Sequence, residues 1–442
     1  MIEYLLTNEE RFQKEGWFRL DSLFPDPARI RAALSPGNGS DAVKKSGDMV
    51  GFECTVPGFP GDIVQVAMLK GLFAVLCALG PVGAAEPPEF LDFTVTEDQG
   101  IARAGEPVRV ACNGTGVVRL WNLTAQREEP VQREERRILF LATVGAKSRT
   151  RYRLDYGKPG PAPASAVRVS GEDLAWKVDT SQFTVDLSKN PGTGRSGQIN
   201  TIYVKNPGVL LTRSRPTSTL HLSPNSAIGG QWNGINRWNP PERHAASHGP
   251  LSFRVEREGP MPYVPNLRVR TAYEVFAGWP AIAVEESIEA TADARVSLVR
   301  LCEWSLATGA ENPFSHLGWE DAAGSVSVRK KEKEETLPLD TRWMAFIGEA
   351  RRFGFAAVIE SLETEGGPLA GPAARFAGDP HYFYRTLINT GKGPLATIPR
   401  GSGYRTRYWI YVFRTEGATP TLDAVSRFYR GVQHPLRVRM GR

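Results

Sequence analysis

Apolar and polar positions alternate through most of the chain in short runs, and Gly, Pro, Asn and Asp separate one run from the next. Residues 90–95 (FLDFTV), 106–111 (EPVRVA), 116–121 (GVVRLW), 137–142 (RILFLA) and 150–154 (TRYRL) are strand-length segments of this kind. Their spacing predicts a small immunoglobulin-like sandwich over 86–157. In 183–187 (FTVDL) the alternation is strict, so Phe183, Val185 and Leu187 share one face of a strand, and 190–194 (NPGTG) makes a turn before 199–204. Further strand patterns cover 253–256, 268–276, 281–290, 297–306, 325–330, 343–347, 353–360, 382–388 and 405–413. One helix is expected near the end of the chain: Thr419 caps it, Pro420 suits its first turn, Leu422, Val425 and Phe428 recur at helical spacing, and Gly431 ends it. The predicted fold class is all-β. A small N-terminal β-sandwich is followed by a large antiparallel β-supersandwich with a short C-terminal helix.

Two segments break this pattern. The Pro-rich stretch 158–171 reads as a stiff linker, which puts the large domain at 172–442. Residues 68–85 run from Met68 and Lys70 through an apolar core at 72–79 to a Gly80-Pro81 break and small residues at Gly83, Ala84 and Ala85. Those are the three regions of a secretory signal peptide, with cleavage expected after Ala84 or Ala85. The core is too short to span a bilayer, which takes about 20 helical residues, so no stable membrane span is expected. The expected location is the periplasm or the extracellular space. Sixty-seven residues precede Met68. The expectation is that 1–67 is an upstream mis-start or a disordered extension; the alternative is a genuine extension followed by a buried apolar strand.

Composition changes this picture little. The hydrophobic fraction is 41% and the charged fraction 23%, as in an ordinary folded protein. The net charge of +6 is dispersed, and the one dense run, 329–336 (RKKEKEET), mixes both signs. Nucleic acid is therefore not the expected partner, whereas an acidic polysaccharide or oligosaccharide suits a basic surface. The expected mature part keeps Cys112 and Cys302, either paired or as two buried thiols, and no zinc spacing is present.

Several phrases resemble carbohydrate-active proteins. Residues 176–180 (WKVDT), 183–187 and 197–202 (GQINTI), then Gly249-Pro250 with 253–256 (FRVE), and 398–404 (IPRGSGY) before an aromatic strand are similar to successive strands of the β-supersandwich in polysaccharide lyases and galactose-mutarotase-like proteins. Residues 103–107 (RAGEP) and 144–150 (VGAKSRT) resemble the small sandwich that precedes such domains in some bacterial proteins that degrade uronate polysaccharides. The resemblance implies a glycan-processing protein, first of all a polysaccharide-lyase-like enzyme cleaving a uronic-acid-containing polymer by β-elimination. The alternatives are a non-catalytic carbohydrate-binding or cell-envelope scaffold protein, and a mutarotase- or glycoside-hydrolase-like enzyme on the same fold. The helical toroid that accompanies many supersandwich lyases is absent.

The densest polar-aromatic stretch, 229–249, reads as a loop carrying Trp232, Asn233, Asn236, Arg237, Trp238, His244 and His248. Indole faces suit the C–H faces of sugars, and Asn and Arg suit their hydroxyls and carboxylates. A second set lies at 379–385, with His381, Tyr382, Tyr384 and Arg385; Tyr404 and Arg405 form a third. β-Elimination needs a base for the uronate C5 proton, a group on the neighbouring carboxylate and a proton donor to the leaving oxygen. The sequence offers His248 or His244 as base, Arg237 or Asn236 on the carboxylate, and Tyr384 or Tyr404 as donor. Trp232, Asn233, Trp238, His381 and Arg385 are expected to bind substrate. No cofactor is expected; a divalent metal at His244 and His248 is the alternative if a helical turn aligns them. For hydrolysis, the candidate carboxylates are Glu303, Glu311, Glu320 and Asp321.

Overall fold

The computed structural model describes residues 90–112, 116, 118–157, 166–187, 195–211, 219–223, 233–235, 238–306, 313–330, 334–348, 350, 352–377, 382–415 and 422–441, together with four strands between 43 and 74. The chain divides into two compact units, Met1–Pro87 and Pro88–Arg442. In the first, Val43–Ser46, Met49–Thr55, Ile63–Leu69 and Leu72–Ala74 form an antiparallel meander, each strand pairing with the next. Within 68–85, the segment with the export pattern, only Met68, Leu69 and Leu72–Ala74 are described, as extended backbone.

Among its described residues the second unit is all-β apart from the helix Asp423–Gln433. Its first part is the small sandwich. One sheet runs Arg103–Ala111, Arg137–Val144, Val131–Glu134; the other runs Arg437–Met440, Phe90–Thr96, Arg149–Tyr156, Val118–Asn122, Arg127–Glu129. Their inward residues close on a ring cluster in which Phe140 stands 4.9 Å from Tyr152 and 5.8 Å from Phe93. The C-terminal strand Arg437–Met440 completes this sheet from the far end of the chain.

A five-stranded sheet follows, from Arg168–Ser170 to Val209–Leu210. Its outer strand Arg168–Ser170 lies in the stretch expected to be linker and pairs with Lys177–Asp179. Phe183, Val185 and Leu187 are all buried, as their alternation requires. The two main sheets have nine and six strands. The nine-stranded order is Arg243–His248, Ser252–Met261, Val264–Phe276, Ala281–Ala290, Gly403–Arg414, Phe353–Glu363, Trp343–Gly348, His316–Glu320, Val326–Lys330. The six-stranded order is Asn233–Gly234, Thr219–Ser223, Leu298–Ser305, Tyr382–Asn389, Ala373–Ala377, Glu335–Leu337.

These two sheets pack face to face through two apolar clusters. One joins Val255, Tyr273 and Tyr408 to Trp304, Phe376 and Phe383; the other joins Val269, Ile288 and Tyr404 to Val299, Leu301 and Leu387. Between the clusters runs a register row of polar residues, Arg257, Thr271, Glu286 and Thr406, one from each of four adjacent strands and all buried. The helix Asp423–Gln433 covers the opposite face of the large sheet, where Phe428 stacks on Tyr411 at 4.1 Å. It continues past Gly431, and a Cβ at that glycine would stand 2.5 Å from the Arg103 guanidinium. Gly431 therefore makes room for Arg103 and does not stop the helix. Cys112 and Cys302 are buried free thiols, one in the small sandwich and one between the main sheets.

Candidate functional site

The face of the six-stranded sheet turned away from the large sheet carries a cluster beside two register irregularities between Leu298–Ser305 and Tyr382–Asn389, one at Val299/Arg300 and one at Leu301/Trp304. In Leu298–Ser305, Leu301 pairs with Arg385 and Trp304 with Phe383, so Cys302 and Glu303 together stand against the single residue Tyr384. This is a β-bulge, and Cys302 at its head has φ of 50°, in the left-handed region. In a regular strand, residues three apart point to opposite faces. Here the extra residue returns Glu303 to the face of Arg300, and the Arg300 Nη1 lies 3.6 Å from the Glu303 Oε2.

Aromatic groups from the next strand complete the cluster. The Arg300 guanidinium lies 3.7 Å from the ring centre of Tyr384, close enough for a cation–π contact. Tyr384 stacks in turn on Tyr382, with ring centres 5.6 Å apart. Burial pushes the Tyr382 phenol up; Tyr384, Glu303 and Glu334 add to the rise, and Arg300 opposes it. Thr386, the register partner of Arg300, is buried, and its hydroxyl has no hydrogen-bond partner among the described residues. On the other side, the backbone of His221 in Thr219–Ser223 stands opposite Arg300. Arg300, Glu303 and Tyr384 are buried and Tyr382 is half-buried, so the arrangement sets a carboxyl group, a cation and a protonated phenol side by side in a covered place. That is a set able to accept a proton, neutralise an anion and donate a proton.

The residues expected to act fall in different places. Trp232, Asn236, Arg237 and His381 lie outside the described residues, and Asn233 is described only by its backbone, in the strand Asn233–Gly234 at the edge of the six-stranded sheet. Tyr384 belongs to the cluster. Tyr404 faces the core between the main sheets: it is buried, its hydroxyl donates to the Pro368 carbonyl at 2.6 Å, and burial pushes its phenol up. Trp238 is buried too, with Nε1 donating to the Pro260 carbonyl at 2.8 Å, so its indole is a wall of the core and offers no exposed face to a sugar. Arg385 points inward and donates to the carbonyls of Leu339 and Thr341. Burial pulls its guanidinium down, and its Nε has no partner among the described residues.

His244 and His248 lie on Arg243–His248, which is an exposed edge strand of the large sheet and no loop. His244 Nε2 stands 3.3 Å from Asp173 Oδ1. Four residues along a strand span about 13 Å, so the helical turn that would align the two imidazoles on one metal is not formed. Among the described residues, no group of three or more His, Cys, Asp or Glu is placed to hold a metal ion.

Of the candidate carboxylates, Glu311 lies outside the described residues. Glu320 is tied to Arg342, Trp343 and Ser426 at 2.6–2.7 Å, where it fastens the helix to the sheet. Asp321 accepts the Ser325 N–H in a turn. Glu303 remains in the cluster. Arg300 was not singled out from the sequence; the signal for it was the odd spacing of Arg300 and Glu303 within an otherwise apolar strand, which only a bulge reconciles.

No family model and no curated protein matches the chain. Among solved structures it is similar to an α-mannosidase from Enterococcus faecalis V583, with 11% identity and a TM-score of 0.51, over 80% of this chain and 46% of that one. It is also similar to a protein in glycosyl hydrolase family 38 from Enterococcus faecalis, with 9% identity and a TM-score of 0.51, over 81% of this chain and 48% of that one. The chain shares their β-sandwich fold. It spans about half the length of either protein. A galactose mutarotase-like protein from Lactobacillus casei ATCC 334 aligns at a TM-score of 0.34 with 8% identity, over 54% of this chain and 99% of that one. Among the described residues no helix is long and apolar enough to cross a membrane.

Proposed function

We propose that this protein is an exported glycan-processing enzyme that acts on a uronic-acid-containing polysaccharide at the Arg300–Glu303–Tyr382–Tyr384 face. The observation that carries the reading is the bulge at Cys302, which sets a guanidinium and a carboxylate together against two stacked tyrosines. Bulges of this kind re-aim side chains and recur beside active sites. The fold shared with an α-mannosidase and a glycosyl hydrolase family 38 protein supports a carbohydrate substrate, and the pattern at 68–85 supports export.

In this reading Arg300 takes the uronate carboxylate and Glu303 accepts the C5 proton. The electron pair forms the C4–C5 double bond, the C4–O4 bond breaks, and Tyr382 gives its proton to the departing oxygen. The base is thereby Glu303 in place of His244 or His248. The test is incubation of the purified chain with polygalacturonate, alginate and hyaluronate while following the ultraviolet absorbance of the unsaturated product. Absorbance should rise with the wild type, not with Glu303→Gln, and be unaffected by His248→Ala. New reducing ends without unsaturation would replace elimination by hydrolysis.

A second reading, glycan binding without turnover, is favoured by the same ion pair, because Arg300 and Glu303 engage each other. Saturable binding that survives Glu303→Gln, with no product from any polymer, would select it.

A further inference from the structure

A buried carboxylate is costly to keep in a protein interior unless it satisfies specific donors. Glu286 lies on Ala281–Ala290 in the large sheet, is buried, and reaches across the core to the other sheet. Its Oε2 accepts the backbone N–H of Cys302 at 2.8 Å. Its Oε1 accepts the Tyr408 hydroxyl at 3.0 Å, and the same hydroxyl accepts the Trp304 indole N–H at 3.0 Å. One side chain thus grips the head of the bulge directly and the residue beyond it through a tyrosine strut. Arg257, in the same buried row, feels its charge.

Cys302 needs such a grip. At φ of 50° its Cβ crowds the backbone, a conformation that residues other than glycine resist and that persists only where the surroundings impose it. Were the strand to relax to regular alternation, Arg300 and Glu303 would part to opposite faces.

We infer that Glu286 is a positioning residue: from inside the core it fixes the bulge that sets Arg300 and Glu303 side by side on the far face of the sheet. This rests on the reading of that face as the working site. Glu286 itself touches no substrate. Its effect on the reaction passes through the backbone of Cys302.

The test compares crystal structures and kinetics of Glu286→Gln, Glu286→Ala and the double variant Glu286→Ala/Cys302→Gly. In Glu286→Ala the Arg300–Glu303 contact is lost and kcat on the uronate polymer falls on the order of a hundredfold, the usual cost of a displacement near 1 Å, with KM little changed. Glu286→Gln keeps an acceptor for Cys302 and retains both the contact and the rate. Glycine adopts positive φ without a clamp, so Cys302→Gly restores the contact in the Glu286→Ala background. A purely structural role would lower the unfolding temperature but would give no such recovery.

An intact Arg300–Glu303 contact in Glu286→Ala, or no recovery with Cys302→Gly, overturns the inference. Should Glu286→Ala not fold, Glu286→Met fills the same space without an acceptor for the Cys302 N–H, and an intact Arg300–Glu303 contact with unchanged kcat then overturns it. If the wild type turns over none of the polymers, the proposed function fails, while the crystallographic comparison still decides the role of Glu286.

Discussion

Tyr382 gains its chemical character from its neighbours. Burial and the nearby Glu303 and Glu334 carboxylates hold the proton on its phenol, and Arg300 pulls the other way. A proton donor of this kind works while it is protonated, so the alkaline limb of the pH–rate profile should lie above the ordinary tyrosine range near ~10. Removing the Glu334 charge would lower that limb, whereas Tyr382→Phe should remove it together with most of the rate. Initial rates on the responsive polymer between neutral pH and the onset of unfolding check this, and a limb unmoved in Tyr382→Phe assigns the proton to another group. Tyr152 shows the same physics acting on stability. Burial in the ring cluster of the small sandwich pushes its phenol up to about 12. Because the folded state holds this proton more tightly than the unfolded chain, its contribution is fully present below pH ~10 and is lost as pH rises through the folded value. The unfolding temperature of the wild type should therefore fall over that interval more steeply than that of Tyr152→Phe.

Elements reveal which parts of the sequence carried their own structure. Trp343–Gly348 and residues 281–284 of Ala281–Ala290 form where apolar runs say they should, because a strand segment buried on both faces leaves an unmistakable hydrophobic run. Arg243–His248 leaves none: all six residues are exposed, and the strand exists because Ser252–Met261 offers it an unpaired edge. Polar residues at such an edge read as a loop, which is why two histidines that looked like site residues belong to a sheet margin. The candidate site shows the reverse. Tyr384 and Glu303 were visible as chemistry-bearing residues, but what joins them is a change of register at Cys302, and register is a property of two strands. Arg437–Met440 was equally illegible, since its pairing with Phe90–Thr96 spans almost the whole second unit. That strand closes one edge of the small sandwich and contributes Leu436 beside it to the core. Deleting residues 436–442 should lower the unfolding temperature and leave turnover at the distant six-stranded sheet unchanged; equal unfolding temperatures in calorimetry would show that the strand is dispensable.

At the scale of the whole second unit, buried polar groups tie the small sandwich to the large sheet beside the apolar contact that Leu139 makes with the main core. The Gln132 amide accepts from the Leu251 and Ser252 N–H groups at 3.0 and 2.9 Å and donates to the Ser252 hydroxyl at 3.0 Å. Beside it Arg109 forks between Glu134 of its own sandwich, at 2.9 Å, and Glu274 of the large sheet. Glu274 is nearly inaccessible, and burial pushes its carboxyl up against the pull of Arg109 and Arg254. Arg109→Met would withdraw one of those two cations and leave the carboxylate paired with Arg254 alone, at 3.5 Å. Breaking one partner from a buried pair typically costs about 3–5 kcal/mol. Part of that is recoverable by protonation, so the sign of the pH dependence is fixed: a carboxyl whose folded value is raised is more stable protonated, and the variant should lose stability as pH rises through that value. Glu274→Gln in the Arg109→Met background removes the charge and should restore much of the loss, whereas Glu274→Gln alone leaves Arg109 paired with Glu134 and should cost less than Arg109→Met alone. A double-mutant cycle read by calorimetry at two pH values measures the coupling. If the two substitutions add with no coupling, the sandwich is held by Gln132 and apolar contact, and the Arg109 fork is incidental to its docking.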